Sequence, residues 1–340
     1  MRHAGLIATL LTATMVSLWA QKVTIAPNQN HLFLSSDKPS TLQLALDQAA
    51  SSGLHVVFGS NQGVFLTRVS TGAPGGYRPI ADNRVDEFER ALNAGGEQGF
   101  RVVPETLTRS GNNTLTVMRR APGGATPYRY RVLASDDAFE KNLSDLASKG
   151  FSLVGVFTQQ SGMAASLGRP GRLHAVLESS GSGTAANTPV PAGGPFRVVS
   201  AVRTSAMEKE INQAAADGYR VKGGSFMNVL VEKVDAPPAK YTYRVIGASR
   251  GTTLQDEIQQ AGREGYRVVP SAIMGNPGSK SETVVLMEHA AANSRSYEYH
   301  FVIPSADSMG PELDGLLANG FAPVGLFMHV TYVILFEKGI

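Results

Sequence analysis

The sequence predicts an α+β protein of six tandem β-α-β-β units, each a small antiparallel or mixed sheet with one helix packed on a face. Three observations predict this. One spacing of apolar residues recurs six times at helical steps. Each occurrence ends in glycine followed at once by an apolar or aromatic residue. Strand-like segments flank every occurrence.

The spacing places two large apolar residues four apart, a small or apolar residue three later, and glycine four after that. The first copy has Leu42, Leu46, Ala49, Gly53 and Leu54; the second, Phe88, Leu92, Gly95, Gly99 and Phe100. The third has Phe139, Leu143, Leu146, Gly150 and Phe151; the fourth, Met207, Ile211, Ala214, Gly218 and Tyr219. The fifth has Leu254, Ile258, Ala261, Gly265 and Tyr266; the sixth, Met309, Leu313, Leu316, Gly320 and Phe321. Steps of four, three and four hold these residues on one stripe of a helix. The glycine suits a helix end in the left-handed conformation, where a side chain clashes. Ser205 with Glu208 reads as a capping box, and Asp137 with Glu140 as its Asp-capped relative.

A strand precedes each helix, as at 128–133, 196–199, 241–246 and 297–303, and a hairpin follows the glycine. The strands are apolar on both faces, so one face takes the unit's own helix and the other meets another copy. The expected organisation is a signal peptide over 1–20, repeats over 31–70, 77–121 and 128–178, a flexible Ser/Gly/Pro linker over 179–194, and repeats over 195–235, 241–290 and 297–340. The linker is expected to divide the chain into two sets of three copies. Arg2, an apolar stretch to Ala20 and the small residue Ala20 predict cleavage before Gln21 and an exported, secreted or periplasmic protein. No membrane span is expected after cleavage.

With 340 residues, 42% of them hydrophobic, the chain has enough apolar material for buried cores. The absence of cysteine excludes disulfides, thiolate catalysis and cysteine zinc sites. A net charge of +3 gives no argument for nucleic acid.

The tyrosine-rich first strand, the helix ending in glycine plus aromatic, and a hairpin closing in an apolar run with Glu-Lys carry a likeness. It is clearest over 241–288 and over 297–338, the latter closing Leu335-Phe336-Glu337-Lys338. The unit resembles a small bacterial β-α-β-β domain family known only as a domain of unknown function. The resemblance implies the fold of each unit and assigns no activity or catalytic residues. A second likeness, to sporulation-related repeats that bind cell-wall glycan, implies an envelope glycan ligand.

Among chemical signals, Gly247-Ala248-Ser249-Arg250-Gly251 has the Gly-x-Ser-x-Gly form of a nucleophile elbow, with His289, His300, His329, Asp256 and Asp307 downstream. Other copies lack it, and the unit is too small for the hydrolase sheet. The histidines show no metal-ligand spacing. No catalytic residue, cofactor or metal site is therefore expected. Arg131, Arg197 and Arg244 share one position in the first strand, and Arg101, Arg220 and Arg267 share the position after the aromatic. Arginine's planar fork suits a carboxylate, phosphate or acidic glycan, and equally a pairing between copies. The expected function is an exported, non-enzymatic binding or scaffold protein. The expected partner is a protein or an anionic envelope glycan and not nucleic acid; a serine hydrolase is the distant alternative.

Overall fold

A computed structural model of the chain describes residues 25, 29–35, 39–60, 63–68, 75–110, 113–120, 126–159, 172–180, 194–201, 203–225, 228–234, 241–275, 282–303, 309–328 and 332–340. The expected signal peptide and most of the expected linker lie outside these residues.

The first unit is β1 (His31–Ser35), α1 (Pro39–Ser51), β2 (Leu54–Ser60) and β3 (Gly63–Arg68). The second is β4 (Tyr77–Asp82), α2 (Val85–Gly96), β5 (Phe100–Val102), a 3-10 turn (Pro104–Thr106), β6 (Thr108–Ser110) and β7 (Asn113–Arg120). The third is β8 (Tyr128–Ala134), α3 (Phe139–Ser148), β9 (Ser152–Gln159) and β10 (Arg172–Ser180). The fourth is β11 (Phe196–Ser200), α4 (Thr204–Ala216), β12 (Tyr219–Ser225) and β13 (Asn228–Lys233). The fifth is β14 (Tyr241–Ala248), α5 (Gly251–Arg263), β15 (Arg267–Gly275) and β16 (Thr283–Ala290); the sixth is β17 (Tyr297–Val302), α6 (Met309–Ala318), β18 (Ala322–Met328) and β19 (Tyr332–Gly339).

Each sheet has the order first, third, second, and every pairing is antiparallel. The α+β class and the six-fold repeat therefore stand, and the sheets are antiparallel where a mixed sheet was also allowed. In the second unit the 3-10 turn breaks the second strand into β5 and β6, both paired with β7. The six helix-ending glycines, Gly53, Gly99, Gly150, Gly218, Gly265 and Gly320, all take φ between 78° and 89°.

The two apolar faces of a strand serve two different cores. On β16, Val284 and Leu286 pack with α4 of the preceding unit, whereas Val285 and Met287 pack with α5 of their own. The period-2 alternation of a strand makes this possible. Each helix thus lies between its own sheet and the next one. The scheme recurs at the first/second junction, where Tyr77 and Val117 join Leu42 and Leu46, and at the second/third, where Tyr130 and Val176 join Phe88 and Leu92. At the third/fourth junction, Phe196 and Leu230 join Phe139 and Leu143.

The sixth junction closes the chain on itself. Leu313 of α6, Ile334 and Phe336 of β19, and Val302 of β17 pack with Phe58 and Phe65 of the first unit. The second strands touch in the same cycle: β2 with the 3-10 turn and β6, β6 with β9, β9 with β12, β12 with β15, β15 with β18, and β18 with β2. The units accordingly form a closed ring, with the second strands at the hub and the first strands outermost. Hub strands approach closely: a Cβ on Gly223 would stand 2.7 Å from Val156 of the third unit and 3.1 Å from the Ser271 carbonyl of the fifth.

Three expectations are corrected. Ser179 and Ser180, assigned to the linker, are the last residues of β10, paired with Arg129 and Tyr128. The linker also does not part the chain into two sets of three, because α3 packs on β11 and β9 lies beside β12 across it. The capping boxes are likewise not used as such. The cap residues before α3 and α4 are Ala138 and Arg203, without side-chain caps. Glu140 and Glu208 instead accept the backbone N–H groups of Val198 and Val245 in the following unit.

Candidate functional site: the latches between units

The second strand begins at the residue after the helix-ending glycine or one later, and in the second, fourth and fifth units the arginine at the second of these positions reaches the next unit. Arg101 Nε donates to Glu178 Oε1 at 2.7 Å, and Arg267 Nε donates to Glu337 Oε1 at 2.8 Å. Arg220 bonds Glu288 through Nε and Nη2, at 2.9 Å to Oε2 and 2.8 Å to Oε1. The Oε2 atom of each carboxylate takes a phenol from the first strand of its own unit, an oxygen that at Glu288 it shares with Arg220. Tyr130, Tyr243 and Tyr299 donate to Glu178, Glu288 and Glu337 at 2.8, 2.8 and 2.9 Å. Each phenol oxygen in turn accepts a backbone N–H from the preceding unit: Val102, Val221 and Val268 at 3.1, 3.0 and 2.9 Å.

The result is one hydrogen-bonded chain, from backbone N–H to phenol to carboxylate to guanidinium, repeated at three junctions. Glu178 and Glu337 are buried, so these carboxylates need the paired charge and both bonds. Burial, reinforced by the neighbouring carboxylate, pushes the three phenols far above their ordinary value, which fixes them as donors. The guanidiniums also lie over a second tyrosine two residues earlier in the first strand: Arg101 over Tyr128, Arg220 over Tyr241 and Arg267 over Tyr297, at 5.7, 4.7 and 5.8 Å.

A second device binds helix to strand. The first strand is a sheet edge, whose unpaired backbone groups need cover. Asn93 accepts the N–H of Tyr130 and donates to its carbonyl, and Asn212 does the same at Tyr243. Gln259 accepts the Tyr299 N–H, and Gln43 donates to the Tyr77 carbonyl. Glu89 accepts the N–H of Val132. These side chains stand one residue after the core positions of the apolar stripe, so each helix offers carboxylate or amide groups beside its core face.

All six arginines singled out in the sequence are ion-paired. Besides the latch set, Arg131 pairs with Glu89 of α2 at 2.9 Å, Arg197 with Asp217 at 3.6 Å, and Arg244 with Glu264 while lying over Tyr266. Their strand partners, Leu177, Val231 and Met287, confirm one shared position. Arg101 and Arg267 remain 64% and 59% exposed, bonding through Nε and presenting the terminal guanidinium edge to water. Aromatic rings do accompany the cations, which strand patterning alone did not reveal: Arg120 lies over Phe100, Lys233 over Tyr219 and Lys338 over Phe321.

Sequence reasoning missed Glu178, Glu288, Glu337 and their tyrosines as one constellation. The available signal was the Tyr-x-Tyr of the first strand matched with a glutamate ending the third. Ser249 is exposed in the turn between β14 and α5. His289 opposes Thr242, toward the other end of β14, roughly 20 Å along the strand. His300 pairs with Glu312 at 3.3 Å. His329 and Asp307 lie outside the described residues. Among the described residues no three His, Asp or Glu side chains are grouped to hold a metal, and no helix is long and apolar enough to cross a membrane. No family model, curated protein or solved structure matches this chain.

Proposed function

We propose that the chain is an exported, non-enzymatic binding or scaffold protein that works as a preformed ring. The supporting observation is the sixth junction, where the last unit packs on the first. Closure leaves every helix covered on two sides and presents like elements of all units on the same face. A surface ordered in advance loses little entropy on binding, which favours recognition of an extended partner. Placement outside the cytoplasm rests on the leading apolar segment alone. The test is envelope fractionation of the source cells beside binding of the immobilised mature protein to purified envelope components. Cytoplasmic protein with no binding to any component would overturn the reading.

One observation favours an anionic envelope glycan as the ligand. The helix-ending glycines, the latch arginines and the ends of the third strands lie at one end of the units, where cations and aromatic rings alternate. Arg120, Lys233 and Lys338 there stack on rings, and none forms an ion pair among the described residues. Stacked aromatics take sugar faces and the cations take carboxylate or phosphate. Co-sedimentation with purified peptidoglycan should be lost when these three are changed to alanine together. Retention of wild-type binding by that variant would remove the glycan reading.

A further inference from the structure

We infer that the junction between the sixth and first units is a pH-operated clasp, with His31 of β1 as its switch and Asp314 of α6 as its counterpart. Five of the six equivalent first-strand positions carry Tyr77, Tyr130, Phe196, Tyr243 or Tyr299, each buried against the preceding unit. The closing junction alone carries histidine, also buried. It is also the one junction whose two units are not consecutive in the chain, so packing alone holds it.

Its surroundings suit an uncharged imidazole. The ring stacks on Phe65 with centroids 6.4 Å apart, and Thr67 opposes it on β3 where three other units have the latch glutamate. Nδ1 is buried and accepts or donates no hydrogen bond. It lies 3.4 Å from Asp314 Oδ1, outside hydrogen-bonding geometry. The titratable groups that face it are Asp314, which is half exposed, and His55 of β2, which opposes Thr67 in register. Burial lowers the proton affinity of His31 below its ordinary value, and the Asp314 charge offsets this only in part.

The sign follows by linkage. The closed ring binds the His31 proton less well than an open ring in which the imidazole is solvated. Closure is therefore at full strength above the ordinary histidine value of about 6.5 and is lost as pH falls toward the lowered one. Between the two values the open-to-closed ratio rises up to about tenfold per pH unit for one proton.

The chain has no cysteine, so two introduced thiols label only where placed. Spin labels at Ser51→Cys and Ala318→Cys report the closing junction, and labels at Ala216→Cys and Arg263→Cys report the fourth/fifth junction as a control for intact folding. The expected result is a narrow distance at pH 7.5 for both pairs, with a reversible long component at pH 5 in the closing pair only. His31→Phe should keep the closing pair narrow at pH 5, and Asp314→Asn should open it further than wild type. A closing pair that stays narrow at pH 5, or a His31→Phe variant that opens as far as wild type, would overturn the clasp. Equal broadening of the control pair would overturn it too, by showing general unfolding.

Discussion

Phe336, in the last strand of the chain, meets Phe65 of the first unit edge-on, with ring centroids 6.5 Å apart and planes at 88°. That contact is made by two residues of units at opposite ends of the sequence, and it turns a row of repeats into a ring. Each unit alone is too small to bury its sheet on both faces. In a closed ring every sheet gains a helix from its neighbour, and no terminal unit is left with a bare apolar face.

The latch makes a directional prediction. Tyr243→Phe keeps the packed ring but strands the Val221 N–H and takes one donor from Glu288, whose Oε2 keeps only Arg220. The expected loss is about 1–3 kcal/mol, the cost of unsatisfied buried groups. Tyr241→Phe keeps the ring beneath Arg220 and should cost less. Denaturant midpoints of the two variants decide the order.

The helix-to-edge clamp predicts a similar penalty from a residue with no role in the core. Asn212→Leu removes the bonds to both backbone groups of Tyr243. It should cost about 1–3 kcal/mol, and the Tyr243 amide should exchange with solvent faster than in wild type. Unchanged protection at that amide would show that the clamp adds nothing to the edge pairing.

Alkaline stability should report the buried phenols. Their folded values are raised above the ordinary 10.0. The protonated phenol is therefore the stabilised form, its contribution is complete below about pH 10, and it declines as pH rises through that value. A variant with phenylalanine at Tyr130, Tyr243 and Tyr299 should be weaker at pH 8 and should lose less between pH 9 and 11. Parallel curves for the two proteins would assign the alkaline loss to other groups.

Two glycines should respond in opposite ways. Gly265 has φ +89°, and a Cβ there would meet His289 Cδ2 at 2.9 Å. Gly265→Val should cost more than about 1–2 kcal/mol, the left-handed penalty alone. Gly315, inside α6, has nothing within 4 Å of an added Cβ. Gly315→Ala should gain about 0.5–1 kcal/mol in thermal or denaturant stability.

The helices, the strands and the left-handed glycines were legible because each is a local matter. Leu254, Ile258 and Ala261 repeat at a helical period, and Gly265 follows at the distance where a helix stops. The junctions were not legible. Arg101 and Glu178 look like two ordinary strand residues until the faces that meet are known. Glu208 illustrates the competition: with Ser205 it has the form of a local cap, yet its carboxylate serves the Val245 N–H of another unit. Tertiary pairing prevailed because the exposed edge of β14 needs an acceptor more than the solvated start of α4 does. The composition of 181–193 signals a break in secondary structure, and it carries no information on whether α3 and β11 pack across it.

Closure itself is tested most directly by a double-mutant cycle on Phe65 and Phe336. Phe65→Leu, Phe336→Leu and the double variant are compared with wild type by denaturant unfolding at pH 7.5. Residues in contact couple, whereas distant ones add independently. A closed ring predicts a coupling of about 0.5–1.5 kcal/mol for this edge-on pair. Strict additivity of the two substitutions, with the single variants each destabilised, would mean that the first and last units do not meet and that the repeats form an open row.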